Sequence, residues 1–193
     1  YGWHHNFSGL RANGTVTDWL ANYYDGNPTN FPPDMTNGID VAAGSHHRLV
    51  LHADGRVAAW SYDNAGGEAT VPADLTNAVA VAAGWRSSAA VTADGRVVVW
   101  GELASVPVPA DLTNAFSVAL GTYFGLALRR DGSATVWGSP NALPADWTNL
   151  VAISAANEYA LGLRADGSLV AFGNTHNDEH DRIYPPLPEL LTN

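Results

Sequence analysis

The apolar residues of this chain fall in short blocks of alternating character, each cut by a turn signal and then resumed. Leu49 and Leu51, Ala89 and Val91, Leu126 and Leu128, and Leu161 and Leu163 each alternate with other residues just before such a signal. Behind it come β-rich runs: Arg56-Val-Ala-Ala-Trp60, Arg96-Val-Val-Val-Trp100, Ser133-Ala-Thr-Val-Trp137 and Ser168-Leu-Val-Ala-Phe172. Period-two alternation of this length predicts strands, and no stretch sustains the three-and-four spacing of an apolar helix face. The signal is a dipeptide: Asn13-Gly14, Asp54-Gly55, Asp94-Gly95, Asp131-Gly132 and Asp166-Gly167, at spacings of 41, 40, 37 and 35 residues. Such dipeptides between alternating segments mark hairpins, here expected as two-residue type I′ turns. Five positions after each Gly stands an aromatic: Trp19, Trp60, Trp100, Trp137 or Phe172.

The same period is marked a second time. Thr-Asn recurs at 36–37, 76–77, 113–114, 148–149 and 192–193, each time preceded by a Pro four or five positions before the Asn. A third strand then opens each full repeat, as in Ala78-Val-Ala-Val-Ala-Ala-Gly84 and Ala115-Phe-Ser-Val-Ala-Leu-Gly121. Its small side chains suit a crowded place near an axis where copies converge. Periods in this range signal a repeat architecture. Three or four antiparallel strands per repeat describe the blade of a β-propeller, which must stack on its neighbours to bury its faces. The reading is therefore all-β: one repeat domain, 1–193, with repeats at about 1–37, 38–77, 78–114, 115–149 and 150–193. The five repeats form either a five-bladed ring or part of a larger array. The repeated aromatic is expected between blades as core, not as site. The first repeat lacks its opening strand and the chain begins without Met, as in a processed chain or an excerpt.

Composition narrows the partners. The formal net charge is −10, and all nine basic residues are Arg. Phosphate binding needs clustered cations, so nucleic acid is not expected. No apolar run approaches the length of a membrane helix. Cysteine is absent, and an acidic, thiol-free chain suits an extracellular or cell-surface setting.

Taken together, Val41-Ala-Ala-Gly44, the hairpin through Asp54-Gly55, Trp60 through Gly66-Gly-Glu68, and Val71-Pro-Ala-Asp-Leu-Thr-Asn77 resemble the regulator of chromosome condensation repeat superfamily. The short period is most similar to its bacterial secreted branch, which includes a β-lactamase inhibitory protein. The resemblance implies propeller blades, ordinarily seven, and partner binding through loops on one face. It also implies a buried His position, occupied here by His47, Phe124 or Tyr159.

Candidate chemistry is sparse. No Gly-x-Ser-x-Gly, phosphate-binding Gly loop or zinc-type spacing occurs, so no enzyme activity and no cofactor are expected. His176, Asp178 and His180 form a weak metal-ligand candidate, read instead as a solvated loop. A variable turn follows each opening strand and supplies the candidate partner-binding face: Trp3, His4, His5, His46, Trp85, Arg86, Tyr123 and Glu158. Aromatic and Arg side chains on a fixed scaffold favour recognition. The expected function is a non-catalytic extracellular scaffold, adhesion or self-assembling module. Alternatives are a soluble protein-binding or inhibitor propeller, and a carbohydrate-binding propeller. The expected partner is protein, self or other, with glycan a further option.

Overall fold

A computed structural model of the chain describes residues 5–21, 36–61, 63–139 and 142–173, with the backbone alone for 5–8 and 17–21. Five antiparallel sheets follow one another. The first pairs β1 (His5–Leu10) with β2 (Val16–Ala21). Four three-stranded meanders follow. They are β3 (Gly38–Ala43), β4 (His47–His52) and β5 (Val57–Ser61); β6 (Ala78–Ala83), β7 (Ser87–Thr92) and β8 (Val97–Gly101); β9 (Ala115–Leu120), β10 (Phe124–Arg129) and β11 (Ala134–Gly138); and β12 (Leu150–Ala156), β13 (Tyr159–Arg164) and β14 (Leu169–Gly173). No fourth strand is added among the described residues. A single 3-10 turn, Glu102–Ser105, follows β8. The chain is all-β, and its sheets recur at the period of the turn dipeptides.

The hairpin turns differ from the two-residue type I′ expected of Asp-Gly. Gly55, Gly95, Gly132 and Gly167 have φ between 80° and 88°, but the Asp before each does not enter the positive-φ region. Gly55 N–H donates to the His52 carbonyl (2.9 Å), and His52 N–H donates to the Arg56 carbonyl (2.9 Å). The same pair of bonds recurs at Arg11/Gly14, Thr92/Gly95, Arg129/Gly132 and Arg164/Gly167. This is a three-residue loop, a type I turn closed by a left-handed Gly. The Asp sits at the third position, where its carboxylate accepts the N–H two residues on: Arg56 (3.1 Å), Ser133 (2.9 Å) and Ser168 (2.9 Å). The Arg56 guanidinium and the Ser133 hydroxyl also donate to Asp54 and Asp131, and these side-chain bonds, with the backbone ones, hold Asp54 and Asp131 below the ordinary carboxylate pKa; at Asp166 the Ser168 backbone N–H leads, with its hydroxyl second.

Each opening strand lies against the opening and middle strands of the sheet before it: β6 on β3 and β4, β9 on β6 and β7, β12 on β9 and β10. The small residues of these strands permit that approach. It is tightest at the strand ends. A Cβ on Gly44 would lie 2.4 Å from the Gly84 carbonyl oxygen, one on Gly84 2.8 Å from that of Gly121, and one on Gly121 2.5 Å from that of Asn157. The chain of glycines thus records how closely the blades converge.

Stacking creates four cores between consecutive sheets. Between the second and third lie Leu49, Leu51, Leu75, Ala78, Val81, Ala90 and Trp100. Between the third and fourth lie Ala89, Val91, Leu103, Leu112, Val118, Ala127 and Trp137. The repeated Trp is therefore interblade core. Linker residues seal the three gaps from the second sheet to the fifth: Leu75, Leu112 and Trp147 all stand three positions after a Pro and are buried. Because sheets press from both sides, every residue of β4 and β7 is buried, although alternation alone predicts one wet face.

The opening strands carry one irregularity. Their ladders slip by a residue between Gly38 and Asp40, Ala78 and Ala80, and Leu150 and Ala152. Ile39, Val79 and Val151 fall outside the ladder as bulge residues and are exposed.

Candidate partner-binding face

At the end of the blades away from the Asp-Gly turns, each opening strand passes to the middle strand through two residues. Gly44 N–H donates to the His47 carbonyl (2.9 Å), Gly84 N–H to that of Ser87 (2.8 Å) and Gly121 N–H to that of Phe124 (2.9 Å). The loops are thus Ser45-His46, Trp85-Arg86 and Thr122-Tyr123. Asn157-Glu158 is the fourth, with Asn157 at φ 48°. Neighbouring loops are tied across blades: Ser45 N–H reaches the Gly84 carbonyl (3.1 Å) and Thr122 N–H that of Asn157 (2.6 Å). These bonds join the His46 loop to the Trp85-Arg86 loop and the Tyr123 loop to the Glu158 loop, and the five residues stand at one end of the array.

Within the row, Tyr123 is 60% exposed and Trp85 40%. The His46 ring meets Trp85 edge-on, centroids 4.9 Å apart and planes at 73°. Arg86 Nη2 lies 3.1 Å from Asp63 Oδ2, so its guanidinium is anchored to the loop after β5. His46 and Glu158 are half-buried. Trp3 and His4 lie outside the described residues. His5 begins β1. Counting back from the Asn13-Gly14 turn places it in line with His46, which moves the first copy by one residue relative to reading Trp3-His4-His5 against Ser45-His46-His47. His176, Asp178 and His180 also lie outside the described residues. Among the described residues no three His, Asp or Glu side chains gather as a metal site.

Beneath the row lies a buried polar cluster that no sequence motif announces. The Glu68 side chain is fully buried. Its carboxylate accepts the Ser61 hydroxyl (2.8 Å) and the Gly66 N–H (2.9 Å), and its backbone carbonyl accepts the Ser88 hydroxyl (2.7 Å) and the Trp100 indole N–H (2.8 Å). Ser88 Oγ is also 2.7 Å from His47 Nε2. The Ser88 proton goes to a carbonyl, so the imidazole must donate and Nε2 carries the hydrogen. Burial pushes the His47 pKa down to about 4, against a smaller opposing pull from the Glu68 charge. A Ser–His contact at this distance can activate a nucleophile. Here both side chains are sealed from solvent and the hydroxyl hydrogen is already engaged, so the cluster fastens the loop after β5 between two blades. At the other two positions implied for a buried His, Phe124 is fully buried and Tyr159 half-buried.

The stacked three-stranded meanders define a protein of the β-propeller class. Three solved propeller-type chains align over most of it. The CRINKLY WD40 ectodomain of the Arabidopsis thaliana receptor kinase ACR4 shares 21% identity at a TM-score of 0.67, covering 87% of this chain and 62% of that one. The ectodomain of the Physcomitrella patens receptor kinase CR4 shares 20% at 0.66, covering 88% and 48%. Prp20p of Saccharomyces cerevisiae shares 17% at 0.68, covering 88% and 56%. The chain therefore spans between about half and three-fifths of the length of these proteins. More specifically, residues 78–102, comprising β6 to β8, match the regulator of chromosome condensation (RCC1) repeat family, so this blade is similar to an RCC1 repeat. Among the described residues no helix is long and apolar enough to cross a membrane.

Proposed function

We propose that this chain is a protein-binding RCC1-like repeat module without catalysis, that the row from His46 to Glu158 is its binding face, and that it serves as an extracellular scaffold or adhesion segment. One observation carries the reading: Trp85 and Tyr123 stand exposed at equivalent loops of adjoining blades, each loop bonded through the backbone to one neighbouring loop. Rigid, exposed aromatics beside an anchored Arg are the composition of binding hot spots. Binding of Gsp1p and histones by Prp20p supports a protein as the partner class. The extracellular setting draws its support from the acidic, cysteine-free composition and from the two receptor ectodomains among the similar structures.

The test replaces Trp85 and Tyr123 together by Ala and compares cross-linked partners recovered from intact producing cells. A partner captured by the wild type should be lost from the double variant, whose Tm should fall by no more than about 5 °C because Tyr123 is mostly exposed and Trp85 is partly so, packed edge-on against His46. Unchanged capture would place binding elsewhere, and loss accompanied by a large fall in Tm would make these residues structural.

A further inference from the structure

The charges at the two ends of the blades are matched differently. At the Asp-Gly end, Asp54, Asp94, Asp111 and Asp146 each hold an Arg: Arg56, Arg96, Arg129 and Arg164. At the loop end the chain has little cation to offer. It contains no Lys, and among the described residues Arg86 is the one Arg at this end that is not buried, since Arg48 is enclosed. The Arg86 guanidinium is already paired with Asp63 (3.1 Å). The exposed Glu102 stands beside it: its N–H donates to the Arg86 carbonyl (2.9 Å), and a Cβ on Gly66 would lie 3.0 Å from Glu102 Cγ and 3.1 Å from Arg86 Cβ. Glu158 follows on the loop bonded to that of Tyr123 through Thr122 N–H and the Asn157 carbonyl (2.6 Å). Neither Glu102 nor Glu158 forms an ion pair among the described residues. In blade order, Tyr123 stands between Arg86 with Glu102 on one side and Glu158 on the other, its ring 60% exposed.

We propose that the row docks a basic segment of its partner, with a Lys or Arg of that segment over the Tyr123 ring and Glu158 as its counter-charge. The inference rests on the reading of the row as a partner-binding face. The face of an aromatic ring is the negative side of its quadrupole and attracts a cation held over it. The carboxylate on the adjoining loop adds to that attraction, and no cation of the chain competes for it. An acidic segment would meet the reverse: three carboxylates, Asp63, Glu102 and Glu158, against one guanidinium already held. A purely apolar segment would take Glu158 out of water with nothing to pair it. The same imbalance draws a basic partner in from solution and so raises its rate of encounter. At an exposed site each contribution is small, and ring and carboxylate together are worth about tenfold in affinity.

Two short labelled peptides serve as probes, one alternating Gly with Arg and the other Gly with citrulline, which keeps the shape of Arg without its charge. Fluorescence anisotropy at neutral pH and low salt, where screening is modest, reads their binding to the whole chain. The Arg peptide should bind the wild type about tenfold more tightly than the citrulline peptide. Tyr123→Phe keeps the ring and should bind it as the wild type does. Tyr123→Leu and Glu158→Gln should each weaken it by about threefold or more. Asp54→Asn with Asp94→Asn removes more charge, but at the far end, and should leave binding unchanged. Equal binding of the two peptides overturns the proposal. So does Tyr123→Leu binding like Tyr123→Phe, and so does an Asp pair that weakens binding as much as Glu158→Gln, which marks an effect of net charge alone. The partner captured from intact cells separates this inference from the reading beneath it. Capture unchanged in the Trp85→Ala, Tyr123→Ala variant removes the row itself as the binding face. Capture lost there but kept in full by both Tyr123→Leu and Glu158→Gln leaves the row and overturns the basic segment.

Discussion

Acidification should loosen this protein through His47. The imidazole is fully buried, donates to Ser88 Oγ and is held near pKa 4 against an ordinary value of 6.5. In the unfolded chain it takes up a proton as pH falls through 6.5, while in the folded chain it stays neutral until about 4. The unfolded state binds more protons across that window, so stability is full above pH 6.5, declines between 6.5 and 4, and falls no further from this source below. At about 1.4 kcal/mol for each tenfold change, the gap amounts to roughly 3 kcal/mol, a large share of the 5–15 kcal/mol typical of a domain. The charges around the ring are Glu68, which raises its pKa, and Arg48 and His46, which lower it. Urea unfolding at pH 7.5, 6.5, 5.5 and 4.5 should show the loss. His47→Gln keeps a donor toward Ser88 but cannot titrate, so its stability should vary less over the same range. The turn carboxylates with lowered pKa lose their contribution only below 3.8. Burial raises the Asp40 pKa, so that carboxyl acts in the opposite direction near pH 4. Both effects are common to the two proteins and cancel in the difference. If wild type and His47→Gln decline in parallel, His47 does not cause the acid sensitivity.

Other outcomes follow from named contacts. Trp100→Ala empties the core between the second and third sheets and removes the indole bond to Glu68, and should cost about 3–5 kcal/mol in chemical unfolding. Gly84→Ala places a methyl against a backbone carbonyl 2.8 Å away. It should lower Tm clearly, whereas Gly67→Ala, in open space at φ 76°, should cost only about 1 kcal/mol. Glu68→Gln turns one acceptor into a donor facing Ser61 or Gly66 N–H and should destabilise by roughly 1–3 kcal/mol. Protease cleavage should then begin within residues 63–70.

What was legible in the sequence was whatever the backbone or the interblade space demands of one residue type. A left-handed turn position admits Gly, and a wide interblade gap takes Trp, so Gly55 and Trp60 disclosed the hairpins and the stacking. The turn class was hidden because Asp-Gly serves both a two-residue type I′ loop and a three-residue loop, and the choice depends on the pairing of His52 with Arg56. Alternation along β4 suggested one wet face, since only the stacking shows that Arg48 and His52 are buried as well. The loop row could be listed because a turn separates two recognisable strands. The Glu68 cluster could not, because it joins residues 20 to 41 positions apart whose types are common individually. The bulge residues Ile39, Val79 and Val151 read as ordinary strand positions, since a slipped ladder leaves no mark on composition.

Among the described residues each sheet packs chiefly on the sheets before and after it, with a consequence for how the molecule comes apart and for how it changes over generations. In these residues β7 is buried throughout while burial alternates along β13, so opening should begin in the fifth sheet before the third. Amide hydrogens of β13 should exchange sooner than those of β7. The same one-dimensional economy means that gain or loss of a whole repeat removes one join and makes another of the same kind. The array can therefore change length in steps of one blade while leaving its remaining joins intact.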